Sequence, residues 1–302
     1  MVTYLSISAT LWRSILLMGL ISTLASCQSV QDYTIPLSAD FMSASEMYQA
    51  NKPTWRLSSS AYQQQFGVFT IQGADVSWKT STKANLWFAE SGLLDKDEVN
   101  DSWLKFIAAD ILNRRGHSIE NYKIVRHQDF AFELLQNGQP SVHSQCRIMA
   151  LDEGTEIRSL NTNDNSQYDR TGRKHSYMGC LVSQGNQIWQ LIADSRKGEA
   201  NYFDMTSSNL QLQFKPVNEK LMLVNQQYIS MPEWFKQQSG LTIHQQGLQL
   251  SALSFDGDKP KIWLRKALPT AQQALLLTAS YSLLMYDWLD EEWRSPSLKM
   301  PN

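Results

Sequence analysis

The stretch from 269 to 292 constrains this chain more than any other. Wound as a helix, Ala274, Leu275, Leu276, Leu277, Leu283, Leu284, Met285, Trp288 and Leu289 leave hardly one polar side. A helix apolar all round has to be enclosed by protein or by lipid. Gln272, Gln273, Thr278, Ser280 and Ser282 interrupt the run, and Asp287, Asp290, Glu291 and Glu292 close it. Those groups tell against a bilayer, where an unbonded polar atom is expensive. The expectation is a helix over about 269–292, opened by Pro269 and buried beneath a sheet.

Candidate strands for that sheet are numerous. Leu210-Gln211-Leu212-Gln213-Phe214 alternates strictly, so one face is buried and the other wet. Residues 241–243, 248–253 and 261–264 read as strands, with a turn at Asp256-Gly257-Asp258. Residues 66–72, 76–78 and 85–89 are rich in β-formers, and 122–126 and 130–135 are two short candidates. Asn137-Gly138 is a hairpin turn leading into 141–151. Residues 177–182 and 187–193 flank Ser183-Gln184-Gly185-Asn186 as a second hairpin. The polar stretch 152–174 reads as a long loop, and 218–228 fits no single pattern. A second helix is expected at about 95–115, capped by Asp95 with Glu98, carrying Val99, Trp103, Phe106, Ile107 and Ile111 at helical spacing, and ending at Arg114, Arg115 and Gly116. The fold class expected is α+β: mainly antiparallel β-sheet with one amphipathic helix (about 95–115) and a buried apolar C-terminal helix (about 269–292). Strand-then-helix occurs at 85–115 and again at 261–292, with Trp87 and Trp263 at matching places, which fits either two related halves or chance.

Ahead of all this, Arg13 precedes an apolar run of about a dozen residues ending in Leu24-Ala25-Ser26-Cys27. Roughly 20 are needed to span a bilayer, so the run suits an export signal that is removed. The block resembles the lipobox of bacterial lipoproteins: leucine, two small residues, then cysteine. That resemblance covers about the first 28 residues. It implies that 1–26 is a signal peptide and that the Cys27 thiol takes a diacylglyceryl thioether. It also implies that the new amino group is acylated, as by palmitate, which anchors the chain firmly. Gln28 rather than Asp follows Cys27, which by the same analogy implies the outer membrane, on its periplasmic face. Residues 27–65, with Pro36, Pro53 and Ser58-Ser59-Ser60, are expected to form the lipidated N-terminus and a tether. The later part of that tether docks through Phe41, Tyr48 and Trp55. Residues 66–302 are expected to form a single globular domain.

With Lys+Arg 27 against Asp+Glu 29, nothing attracts nucleic acid through bulk charge. Cys146 and Cys180 sit on neighbouring expected strands and would pair as one disulfide in an oxidising compartment, two buried free thiols being the alternative. His117, His127, His143, His175 and His244 show no metal-ligand spacing, and the chain has neither a nucleophile elbow nor a Walker loop. No catalytic residue, metal ligand or cofactor is therefore assigned. Asn161, Asn163, Asp164, Asn165 and Asp169 form an oxygen-rich run, but Ser166 and Gly172 stand where an EF-hand needs glycine and an acid, so a solvated turn is the reading. Arg170, Arg173 and Lys174 add a small basic patch in the same loop. Trp78, Trp87, Trp189 and Trp263 lie in expected strands and are read as core. The role expected is that of a non-enzymatic outer-membrane lipoprotein binding an envelope protein, glycan or lipid, or assisting envelope assembly. The alternative is a periplasmic hydrolase with a site built from sequence-distant residues.

Overall fold

A computed structural model describes residues 32–53, 63–85, 117–159, 167–208, 210–231, 237–257 and 259–294. In chain order these form β1 (Asp32–Thr34), α1 (Ala39–Ser43), β2 (Ser45–Gln49), β3 (Gln63–Phe66), β4 (Phe69–Val76), β5 (Thr80–Asn85), β6 (His117–Gln136), β7 (Gln139–Ser159), β8 (Gln167–Gln184) and β9 (Gln187–Arg196). They continue with β10 (Tyr202–Thr206), β11 (Gln211–Val217), β12 (Leu221–Val224), β13 (Gln227–Ser230), β14 (Gly240–Gln245), β15 (Leu248–Ser254), β16 (Lys261–Arg265), α2 (Thr270–Leu289) and a 3-10 turn (Glu291–Arg294). The expected helix over 95–115, the lipobox and Trp87 lie outside the described residues, as does most of the first strand-helix unit.

A sheet of 13 strands runs β2-β16-β15-β14-β11-β10-β9-β8-β7-β6-β4-β3, with β5 beside β6 off that path. Every pairing is antiparallel. Twist accumulated over so many strands curls a sheet, and here it brings the two ends together. The Gln64 side chain on β3 donates to Gln49 O at 2.9 Å and accepts from Asn51 N at 3.1 Å, so this amide bridges β3 and the end of β2, between which no ladder is seen among the described residues. Tyr48 and Phe66 meet edge to face across the same seam, at 6.0 Å.

The mainly antiparallel sheet and the buried final helix stand as expected, but the helix does not lie beneath a sheet. The sheet passes round it. Side chains from Ala274 to Asp287 are buried on every side, and α2 touches β6, β7, β8, β15 and β16. Each fully buried leucine adds roughly 1.5–3 kcal/mol. Tyr281 packs against Phe66, Phe132 and Trp288 at 6.2, 5.0 and 5.8 Å. Two of the buried polar interruptions find partners at short range, Thr278 donating to Ala274 O at 2.9 Å and Ser282 meeting Ser144 at 3.0 Å, while the Ser280 hydroxyl has no hydrogen-bond partner among the described residues.

The turn at Asn137-Gly138 forms as expected, both residues at positive φ (51° and 79°) as a type I′ hairpin requires. The ambiguous 218–228 stretch contributes the hairpin β12–β13, which joins β1 in a separate three-stranded sheet. Residues 32–53 are body rather than tether: β1 pairs with β12, β2 pairs with β16, and Phe41 of α1 packs with Ile35, Ala252 and Trp263 on the outer face of the sheet. Among the described residues no helix is long and apolar enough to cross a membrane.

The largest correction concerns 152–174. Instead of a loop, 152–159 extends β7 and 167–174 opens β8, while the two short candidates at 122–135 are one strand, β6. At about 3.3 Å per residue, β6 is ~65 Å long and overruns the apolar core. Cross-strand pairs of charged and polar side chains take the place of apolar alternation there, which is why hydrophobic periodicity does not detect it. The strands beyond the core, β5 with the outer parts of β6, β7 and β8, form a four-stranded arm.

Candidate functional site

The chemistry of the described residues gathers where this arm leaves the core, at the C-terminal end of α2. Strand parity would turn Arg173 outward, because Ser176, Met178 and Cys180 point in. A bulge reverses it: Leu151 faces His175, but Asp152 faces Arg173, leaving Lys174 as the extra residue. Arg173 thereby enters the barrel mouth and bonds Asp152 at 2.5 Å and Asp290 through Nη1. Arg126 holds the other oxygen of Asp152 at 3.0 Å. Ser176 donates to Asp290 and accepts from Tyr286 at 2.5 Å.

The network runs from Tyr286 through Ser176, Asp290, Arg173 and Asp152 to Arg126. Burial opposes the charge on Arg173, but hydrogen bonding and attraction from Asp290 and Asp152 outweigh it and raise its pKa. Burial also raises the Tyr286 phenol, which stays a neutral donor. Beside the network opens a cleft of about 300 Å³ lined by Lys79, Arg126, Arg173, Trp288, Asp290 and Glu292. Lys79 donates to Leu289 O at 3.0 Å, covering an orphan carbonyl at the helix end. Arg126 and Arg173 are thus answered by Asp152, Asp290 and Glu292, while Lys79 is held by the helix-end carbonyl.

Further out, the inner face of the arm is a second polar cluster. Tyr122 donates to Asp169 and contacts Thr171, and its ring lies over Gly154, where an added Cβ would come within 2.4 Å. Only glycine permits that approach. Lys83 sits 3.9 Å from the centre of the same ring and 3.1 Å from Glu156. Glu156 is enclosed by charged and polar chains rather than by apolar core. Hydrogen bonds from Arg158 first and Lys83 second hold its carboxyl below the ordinary value of 4.5. A carboxyl lowered in the folded state stabilises above its unfolded pKa and loses that contribution as pH falls through the folded one. Protection of the amides at 156–158 and 167–169, taken against the intrinsic exchange rate at each pH, should therefore be greater above about pH 4.5 than below it, and Glu156→Gln should remove the step. Protection at the tip that ignores acidification would contradict this pairing.

Of the residues singled out in the sequence, Cys27 lies outside the described residues. Cys146 and Cys180 are brought face to face on β7 and β8, buried, with sulfurs 2.07 Å apart. The five histidines are not brought together. His175 meets Asp194 at 2.6 Å on the outer face of the sheet, His143 lies 3.8 Å from Glu133, and His244 contacts Thr242 at 2.9 Å; His127 is exposed on β6 and His117 begins that strand. In the oxygen-rich run, 161–165 lie outside the described residues and Asp169 is a strand residue bonded to Tyr122. The basic patch divides: Arg173 turns inward, Lys174 pairs with Glu153 at 3.1 Å, and Arg170 is exposed. Trp189 and Trp263 are buried as expected, but Trp78 is 93% exposed. The reason is local: β4 ends at Val76, and 77–79 side-step to β5, which leaves the indole on the connection.

Sequence reading missed the pairing of Arg173 with Asp290, although a signal was present. Acidic residues at a helix C-terminus oppose its dipole and call for a cation from elsewhere; the patch at 170–174 supplies it. No family model, curated protein or solved structure matches the chain.

Proposed function

We propose that the protein is a lipid-anchored component of a bacterial outer membrane, facing the periplasm, that binds another envelope molecule and carries out no chemistry itself. The observation that carries this reading is the arm, four strands continuing past the core with its outermost edges on β5 and on the 167–174 part of β8 outside any described ladder. Such edges are templates for association. Two features support it. The barrel interior is filled by α2, which leaves binding to the outside. The charges at the mouth are spent on one another.

The hydrolase alternative is less well supported. His175 and Asp194 make an acid–base pair on the outer face, but the neighbouring Ser176 hydroxyl points the opposite way and is committed to Asp290 and Tyr286.

A photo-crosslinking residue at exposed Tyr168 on the arm should give one discrete adduct in cells, and the same residue at Tyr202 on the barrel wall should not. Equal adducts from both positions, or none from the arm, would count against an arm-based binder. Cys27→Ser should abolish palmitate labelling and move the protein out of the membrane fraction. Persistent labelling would defeat the anchor.

A further inference from the structure

We infer that the hairpin β12–β13 is a membrane seat: its uncharged apolar strands settle among the headgroups of the bilayer that holds Cys27. This rests on the lipid anchor proposed above and adds a second, non-covalent contact with the same bilayer.

Three observations converge. From Leu221 to Met231 the chain carries no charged residue, and Leu221, Met222, Leu223, Val224, Tyr228 and Ile229 supply apolar surface. None of these six joins either buried apolar cluster. The β12 side chains are only half-buried, while Tyr228 and Ile229 on β13 are 51% and 43% exposed. An apolar patch left uncovered in this way marks a contact surface. Register sets Met222 opposite Ile229 on one face and Leu223 opposite Tyr228 on the other, so each face of the hairpin carries an apolar pair.

The second observation is direction. β1 runs antiparallel to β12, with Asp32 opposite Leu223 and Thr34 opposite Leu221. The chain coming from Cys27 therefore joins the sheet at the end where Asn225 and Gln226 turn the hairpin, not at its root. The third is attachment. Asp32 accepts from Lys261 Nζ, and Lys220 at the hairpin root pairs with Asp256 at 3.3 Å, so the barrel aims the hairpin.

With no lysine or arginine on the hairpin, burial of apolar surface drives the contact rather than attraction to anionic lipid. The outer edge of β13 has no ladder partner among the described residues, and unpaired backbone groups are excluded from hydrocarbon. The strands therefore stop at headgroup level, where Tyr228 and the amides of Asn225, Gln226 and Gln227 find polar partners. The anchor already holds the hairpin at that surface, so even a weak contact is occupied. A soluble protein partner has no such advantage and would cover one face only.

The test places a nitroxide on the purified full-length protein in phosphatidylcholine vesicles. With Cys146 and Cys180 bonded and Cys27 acylated, Ile229→Cys supplies the one free thiol. Relaxation by oxygen, taken relative to relaxation by a water-soluble nickel chelate, should be at least about threefold higher there than at Ile188→Cys. Ile188 is 66% exposed at the other end of the barrel, beside Gln184, which bonds Ala271 O at the start of α2. The difference should persist in phosphatidylglycerol and in high salt. Tyr228→Cys gives a second position should Ile229→Cys fail to fold. Tyr228→Asp should return the label at 229 to water while exchange in β14 and β15 stays unchanged. A water-like label on protein that floats with the vesicles would overturn the seat and leave the anchor standing. Protein that does not float would defeat the anchor and the seat with it. Contact with anionic vesicles alone, or spin–spin broadening at 229 that vanishes on dilution with unlabelled protein, would assign the hairpin to charge attraction or to a second copy and overturn the seat.

Discussion

Arg173→Met is expected to lower the unfolding free energy by about 3–5 kcal/mol, the range for removing one partner of a buried ion pair. The guanidinium is 10% exposed and the carboxylates it joins, Asp152 and Asp290, are 2% and 5% exposed. Without it, among the described residues, Asp290 faces the negative end of α2 with only Ser176 to donate to it, and Asp152 keeps only Arg126. Adding Asp290→Asn to Arg173→Met should recover part of the loss, because the orphaned charge goes with its partner. Urea denaturation of the single and double variants decides the matter. A single-variant loss under about 1 kcal/mol, as for an exposed pair, would mean that the network is solvated and does not lock the helix to the arm.

The second large effect concerns the cysteines. Changing Cys146 and Cys180 together to Ala should cost about 3–4 kcal/mol, since a link between residues 34 apart in sequence removes that much freedom from the unfolded chain in the loop-entropy model. The link joins β7 to β8 directly beneath α2, next to Ser144 and Ser282, so without it these two long neighbouring strands would be free to separate on unfolding. Alkylation of the unfolded, unreduced protein should label neither thiol. Two labelled thiols, or a double variant as stable as the parent, would remove the bond from the account.

Where burial decides structure, the chain is readable. The helix over 269–292 announces itself because no arrangement leaves its leucines wet. The hairpin at Asn137-Gly138 is written in two residues that tolerate positive φ, and β11, β14, β15 and β16 follow apolar patterning. What escapes is structure held by long-range polar pairing. The outer parts of β7 and β8 look like loop because Asp152, Glu156, Asp169 and Arg173 find their partners only once four strands are side by side. Trp78 misleads for the converse reason: its neighbours are β-formers, but the strand ends two residues earlier, at Val76. At the candidate site, both halves of the Arg173–Asp290 pair stand in conspicuous charge blocks. Their meeting depends on a one-residue bulge that no local pattern encodes.

That Asp32 already stands in a strand has a mechanical consequence. With an acyl group on Cys27 as proposed, Gln28, Ser29, Val30 and Gln31 are all that lie between the lipid and that strand, a reach of at most about 18 Å. That reach is far shorter than β6. The body would rest against the headgroups with little rotational freedom, and whatever it captures would be captured at the bilayer surface. Lengthening those four residues, with nothing else altered, would change the protein's working radius.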